Sequence, residues 1–303
     1  MNNVIIRVSN NIGNQMFMYA AAYSLSKILN RNLFVDNQSA YNKNKLHKYN
    51  LDIFKFNAEL APEKFKFIGL QGQLKRKLLK KFDKFKKIKN FYLEPRDNNK
   101  MTCYNEFNVN NSFSKNLFLE GHFESEKYFK NYFNDIRNEF QFKFIDSYKN
   151  NKFFNQIKSS NSVSICVRQH RFSEKLRKTN NIDAKNSQKF TIDQITYIKK
   201  SINIIKTKIN NPKFFLWSND YSNLSDHFPK DYFTFVSSGS SNIDFFLMTQ
   251  AKHFIVIPSA FNWWGSWLST FDKKIIIRPS NNVFSNFHVN NIDYWPDNWI
   301  EVN

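Results

Sequence analysis

Glycine is rare in this chain, 6 residues in 303, and the familiar phosphate-binding loops that depend on it are missing. Neither Gly-x-x-x-x-Gly-Lys-Ser/Thr nor Gly-x-Gly-x-x-Gly occurs, which excludes the ordinary P-loop and dinucleotide fingerprints. The two cysteines, Cys103 and Cys166, are far apart and form no Cys-x-x-Cys, which argues against a disulfide scaffold or a structural zinc site. There is no His-Glu-x-x-His, no Gly-x-Ser-x-Gly and no Asp-x-Asp, the carboxylate pair that chelates a metal on a nucleotide diphosphate. No stretch approaches the roughly 18 continuous apolar residues of a membrane span, and the first residues run straight into a strand without a leader pattern. A cytoplasmic protein is the simplest expectation.

Acid is in short supply too. Against 45 Lys and Arg stand 25 Asp and Glu, so the net charge is +20 and the pI about 9.7. Such a surface attracts polyanions, whether nucleic acid, anionic membrane or phosphorylated small molecules. With metal-chelating pairs absent, a bound anion is expected to meet cationic side chains and backbone amides. What the chain has in plenty is Phe, Asn, Lys and Ile, the signature of an AT-rich genome, so those counts carry little functional weight. Apolar residues make up 41% of the chain, a globular composition, and 303 residues suffice for about two domains with cores of their own.

Along the chain, "NVIIRV" reads as a buried strand, Asn14 to Leu29 as a helix and "RNLFVD" as a second strand, together one βαβ unit. The stretch from Asp36 to Asn116 gives no regular pattern, with one exception. In "QLKRKLLKKFDKFKKIKNF", Leu74, Leu78, Leu79, Phe82, Phe85 and Ile88 share a helix side and lysines crowd the rest. Two readings of residues 74–89 are open: a surface helix docked by its apolar face, or a basic amphipathic helix lying on anionic lipid. From Ser162 onward strands and helices alternate regularly. "SVSICV", "KFFLWS", "YFTFV", "HFIVIP" and "KKIIIRP" are short apolar strands. "TIDQITYIKKSINIIKTKI" reads as a helix opened by a capping box of Thr191 and Gln194, and "NIDFFLMTQA" and "FNWWGSWLS" as two more. The expected fold is α/β, two Rossmann-like domains facing a cleft in the GT-B manner, 1–155 and 156–303, joined within the polar segment 146–161.

Three strand-to-helix junctions could hold an anion. At "SNNIGNQ", Gly13 permits a tight turn or a close ligand approach, and Asn14 and Gln15 stand in the first helical turn; a plain turn with an N-cap is the structural alternative. At "SICVRQHRF", Arg168 leaves the end of a strand, where open α/β sheets place ligands, and its fork fits a pyrophosphate; the alternative is a surface ion pair. At "FIVIPSAFNWWGSWLS", Ser259 and Asn262 adjoin a helix N-terminus, while Trp263, Trp264 and Trp267 are spaced for the core.

In order along almost the whole chain, these segments resemble the bacterial α-1,2-fucosyltransferases, glycosyltransferase family 11. "NIGNQMFMYA" is similar to that family's Gly-Leu-Gly-Asn-Gln-Leu/Met-Phe-Gln-Tyr-Ala, and "LEGHFESEKYF" to its Gly-Tyr-Phe-Gln-Ser-x-x-Tyr-Phe. "FLWSNDYSN", "DFFLMTQAKHFIVIPSAFNWWGSWL" and "YWPDNWIEV" resemble its later motifs. One departure stands out: His-x-Arg-Arg-Gly-Asp becomes Cys166-Val167-Arg168-Gln169-His170-Arg171, so only the first Arg is kept.

The resemblance implies an inverting, metal-independent transfer of L-fucose from GDP-β-L-fucose to the 2-hydroxyl of a galactoside in a bacterial surface glycan such as the O-antigen of lipopolysaccharide. It implies GDP-fucose as donor and no metal or other cofactor. Arg168 would grip the leaving diphosphate, with Gly13, Asn14, Gln15, Asn219, Asp220, Asp244, Ser259, Phe261 and Asn262 as further donor-binding residues. Glu174, six residues past Arg168, is the nearest carboxylate to replace the lost family Asp as base; the alternative for it is a partner for Lys175, Arg177 or Lys178. The expected partner is a galactose-terminated glycan, its lipid-linked form included, with residues 74–89 as the peripheral contact at the cytoplasmic face of the inner membrane. A GT-B relative using another nucleotide sugar is the second reading, prompted by the changed loop after Arg168. Nucleic acid binding is the third, and no groove-reading element or aromatic–basic motif supports it.

Overall fold

The structure, a computed structural model, describes residues 2–41, 47–95, 103–172, 181–280, 283–284 and 292–303. The chain forms two compact units, Met1–Lys143 with Asn290–Pro296, and Phe144–Val289 with Asp297–Asn303. Each holds one parallel sheet, which is the expected pair of Rossmann-like domains.

In the first unit the strands are β1 (Asn3–Arg7), β2 (Asn32–Asp36), β3 (Glu59–Leu60), β4 (Lys89–Leu93) and β5 (Phe113–Glu120), in the order β3-β2-β1-β5-β4. Val4, Ile5 and Ile6 of β1 are buried on both faces, as a central parallel strand requires. Helix α1 (Ile12–Ile28) is buried nearly all round, with Met16, Phe17, Ala20, Ala21 and Leu25 sealed against the sheet. It ends in a Schellman turn. Asn30 takes a left-handed φ of 49°, its N–H bonds the Lys27 carbonyl, and the Arg31 N–H bonds that of Ser26. Helix α2 (Gly69–Asp83) runs beside β4. It is not docked by its apolar face: Leu74, Leu78 and Phe82 are exposed, and Arg76, Lys80 and Asp83 point inward. Helix α3 (Phe133–Glu139) completes the unit.

In the second unit β6 (Asn161–Val167), β7 (Pro212–Ser218), β8 (Phe233–Phe235), β9 (His253–Ile255), β10 (Ile276–Pro279) and β11 (Ile300–Val302) run parallel in the order β11-β10-β9-β6-β7-β8. The polar segment expected to carry the domain boundary instead forms α4 (Ile145–Lys149) and α5 (Lys152–Ser159) of this unit. Tyr148 and Phe154 pack on Phe246 of α7 (Ser241–Thr249), and Ile157 is buried, so the division falls at 143/144 and not at 155/156. Helix α6 spans Asn181–Lys208, ten residues longer at its start than the capping box predicts. Thr191 lies inside it, its hydroxyl bonded to the Ser187 carbonyl, because 181–190 contains no Gly or Pro to stop the helix. Helix α8 (Ala260–Leu268) buries Trp263, Trp264 and Trp267 in a cluster with Trp299. Gly265 allows that helix to close on α7, since a Cβ there would sit 2.5 Å from the Met248 sulfur.

Candidate active site

In an open parallel sheet, ligands bind beyond the carboxyl ends of the strands where the chain reverses its direction across the sheet. In the second unit that place is the crevice between β6 and β9: from β6 the chain steps outward to β7 and β8, then returns to β9 on the other side. Arg168 follows β6 directly, and the turn from Val256 to Ser259 follows β9 and enters α8.

The backbone of Arg168 is fixed on both sides by one side chain. The Arg168 N–H donates to Gln194 Oε1 at 2.8 Å, and Gln194 Nε2 donates to the Arg168 carbonyl at 2.9 Å. Gln194 is fully buried on α6, which gives it this anchoring role in place of the expected cap. The next residue is held from the opposite side. The Gln169 N–H donates to Asn219 Oδ1, Asn219 Nδ2 donates to the Gln169 carbonyl, and Gln169 Nε2 donates to the carbonyls of Asp220 and Ser222. His170 pairs with Asp220 at 2.9 Å. Hydrogen bonds from the Ser222 N–H and hydroxyl, with His170 third, hold the Asp220 carboxyl down at about 2. The loops after β6 and β7 are therefore one braced polar surface carrying Arg168.

Below it, burial pushes the Cys166 thiol up to about 12, so it is neutral, and Arg168 and Asp244 both act on it electrostatically. Asp244, in the first turn of α7, accepts the Ser238 N–H at 3.0 Å and is raised by burial. Ser259 is the N-cap of α8 and makes no side-chain cap bond, while the ring of Phe261 packs on Phe245. Asn262 corrects its prediction. It is fully buried, its Oδ1 accepts the Ile257 N–H at 2.8 Å and its Nδ2 lies on the Met248 sulfur, so it shapes the turn and offers no side chain to a ligand.

The equivalent crevice of the first unit lies between β1 and β5. Asn10, left-handed at φ 61°, makes the turn expected of Gly13, which is an ordinary buried residue of α1. Gln15 is a second correction. Fully buried, it donates to the carbonyls of Asn10 and Lys48 and accepts the Asn50 N–H, tying two loops together without reaching a ligand. Asn14 does face the crevice, donating to Glu124 Oε1 at 2.5 Å, and Asn10 contacts His122 at 3.3 Å. His122 and Glu124 are delivered by β5, whose signal in the sequence is the short run "LFLEG" closed by Gly121. Glu94 packs so close to Gly121 that a Cβ there would lie 2.3 Å from its own, and it accepts the His122 and Phe123 N–H groups. A depression of about 430 Å³ beside it is lined by Arg7, Arg76, Lys80, Glu94, Glu120 and His122. Burial raises the Glu120 carboxyl, but hydrogen bonds from Arg76 and Lys80 and the charge of Arg7 outweigh it and leave the group below its ordinary value.

Glu174 lies outside the described residues. Among the described residues no group of three or more His, Cys, Asp or Glu could hold a metal ion.

Two parallel α/β units with polar loops gathered at the carboxyl ends of their strands are the architecture of a GT-B-like glycosyltransferase. The chain belongs to glycosyl transferase family 11, whose model matches residues 2–303. It is 25% identical to an α-1,2-colitosyltransferase of Escherichia coli, over 100% of this chain and 99% of that one. With the O-antigen biosynthesis glycosyltransferase WbnK of the same organism the identity is 23%, over 97% and 99%. Among solved structures the fold is similar to that of the fucosyltransferase NodZ from Bradyrhizobium (14% identity, TM-score 0.51, covering 87% of this chain and 91% of that one). A NodZ α-1,6-fucosyltransferase soaked with GDP-fucose matches at 13% identity and TM-score 0.50, covering 88% and 92%. Against the family pattern, His170 stands where glycine is usual, and it takes a left-handed φ of 56°, a region that glycine enters at little cost.

Proposed function

We propose that the protein transfers L-fucose from GDP-β-L-fucose to the 2-hydroxyl of a galactoside in a bacterial surface glycan, with inversion at the sugar carbon. The observation that carries this reading is Arg168, held by its backbone at the β6–β9 crevice, where a diphosphate is expected. The O-antigen relative and the GDP-fucose-soaked structural neighbour support the donor and the glycan class.

The bond from fucose C1 to the β-phosphate oxygen breaks with its electron pair going to the diphosphate. Arg168 and the backbone N–H groups at the start of α8, with the Ser259 hydroxyl beside them, meet the charge that grows there, and this needs no metal. In this reading Asp220, ionised at neutral pH, accepts from the nucleoside and Asn219 donates to it. The acceptor oxygen attacks C1 from the opposite face and its proton passes to a carboxylate. Glu124, oriented by Asn14, and Glu174 are the two proposed for it.

The α-1,2-colitosyltransferase relative favours a second donor, the GDP derivative of colitose, which is fucose without its 3-hydroxyl. Release of GDP from each sugar nucleotide, with and without a panel of β-galactosides and in EDTA, tests both. Acceptor-stimulated release from GDP-fucose in EDTA supports the first reading, and release from GDP-colitose alone the second. Loss of turnover in EDTA that Mg²⁺ restores overturns the metal-independent mechanism.

A further inference from the structure

Helix α2 is turned inside out for its composition. On its inner side Arg76 makes a bidentate pair with Glu120, Lys80 Nζ lies 2.7 Å from the same carboxylate, and Gln73 donates to the Ser39 and Phe67 carbonyls. Asp83, 5% exposed, accepts both Asn90 donors and the Phe91 N–H. These polar anchors fix the helix rotation. The outer side then carries Leu70, Leu74, Leu78 and Phe82, each four residues from the next, exposed by 78%, 58%, 45% and 59%. The turn that follows adds Phe85 and Ile88, exposed by 84% and 56%. Lys75, Lys77, Lys81, Lys84, Lys86 and Lys87 are exposed around this stripe, and Asp83, the only acid from 69 to 88, is buried.

A contiguous apolar stripe of this kind marks a partner. A second copy of the chain would set six lysines against six, whereas an anionic bilayer offers acyl chains to the stripe and negative headgroups to the lysines around it. We propose that the outer face of α2 and the turn to Ile88 docks this protein on an anionic membrane surface. Arg76 and Lys80 on the inner face line the 430 Å³ depression, so docking brings that depression within about one helix diameter, roughly 10–12 Å, of the lipid. If the transferase reading holds, an acceptor carried on a membrane lipid is presented there.

The test is flotation of the full chain with vesicles of phosphatidylcholine alone or mixed with phosphatidylglycerol. The expected result is binding to the mixed vesicles, at least tenfold weaker with neutral ones. The triple change Leu74→Glu, Leu78→Glu, Phe82→Glu and the quadruple change Lys75→Glu, Lys77→Glu, Lys81→Glu, Lys84→Glu should each lower it at least tenfold. GDP binding by these variants should be unchanged, which keeps failure of docking distinct from failure of the transferase reading. Should a variant not fold, Leu78→Cys carrying an environment-sensitive dye in a Cys103→Ser background replaces it, and its emission should shift to the blue on mixed vesicles. No binding to the mixed vesicles, binding indifferent to both variants, or an unshifted dye overturns the proposal. So does a wild-type dimer that ignores vesicles and is split by the triple change.

Discussion

In the proposed reaction Arg168 counts more for where it is held than for its charge, since the surface has cations to spare. Arg168→Ala should lower kcat/KM for sugar transfer by about 10²–10³ with an unchanged circular dichroism spectrum, the range seen for loss of one preorganised donor. Arg168→Lys should recover little, because a point charge does not replace a planar fork. On the proposal that Glu124 is the base, Glu124→Gln, which keeps the bond from Asn14, should lower kcat by about 100-fold while GDP affinity stays as it was, and an unchanged kcat assigns the role to Glu174. Gln15 predicts the opposite pattern. Gln15→Leu strands two carbonyls and an N–H in the interior and should destabilise the first unit by about 2–3 kcal/mol, read as an earlier onset of thermal unfolding. GDP binding by the part that remains folded should be normal. Arg168 and Asn14 are proposed as site residues from their place after a strand, and the structure puts each at the carboxyl end of a parallel strand, Arg168 after β6 and Asn14 after β1. Gln15 and Asn262 were misread for the same reason: nearness in sequence to a ligand site does not tell which way an amide points, and both point into the protein.

Most elements of the second unit could be read because its central strands β6, β7 and β9 are largely buried on both faces and form short, mostly apolar runs between polar breaks. Those of the first were harder. β3 has two residues, β4 is "KNFYL" with only two positions buried, and the 3₁₀ turns on either side of β3, Leu51–Ile53 and Glu63–Phe65, have no period to detect. Helix α2 was visible as a helix, but its orientation was not. The amphipathic rule turns the apolar side inward, and here one buried carboxylate, Glu120, draws Arg76 and Lys80 in against it. Helix α6 shows another limit of local rules, since a good capping pair lies unused as a cap inside it while Gln194 holds the Arg168 backbone. Gln194→Ala should weaken GDP binding by about tenfold, the cost of one lost anchoring interaction of roughly 1.4 kcal/mol. Calorimetric titration with GDP checks it. Because Gln194 acts through the Arg168 backbone, Gln194→Glu, which sets a buried carboxylate oxygen against the Arg168 and Phe190 carbonyls, should be worse than Ala.

At the scale of the molecule, stability should fall on the acid side before the surface carboxylates titrate. Burial depresses the His253 imidazole to about 4, and its Nδ1 accepts the Ile275 N–H, so the native state needs it neutral. The unfolded chain protonates near the ordinary value of about 6.5. This stabilisation is complete above about 6.5 and is lost as pH falls from there through about 4, a term of about 1–3 kcal/mol. Urea midpoints followed from pH 7.5 to 4.5 should drop more steeply for the wild type than for His253→Gln, which does not titrate.

The left-handed turns tell where this chain has been in evolution. Among the described residues six that are not glycine have positive φ, and four of them are asparagine: Asn10, Asn30, Asn211 and Asn223. Asparagine tolerates that region better than other side chains, though less well than glycine. Its codons are AAT and AAC, while every glycine codon begins GG. Mutational pressure toward A and T can thus exchange the two at turns without redrawing the backbone. Relatives encoded by GC-rich genomes are expected to carry glycine at these four positions, so part of the low sequence identity across the family would measure base composition more than divergence of shape.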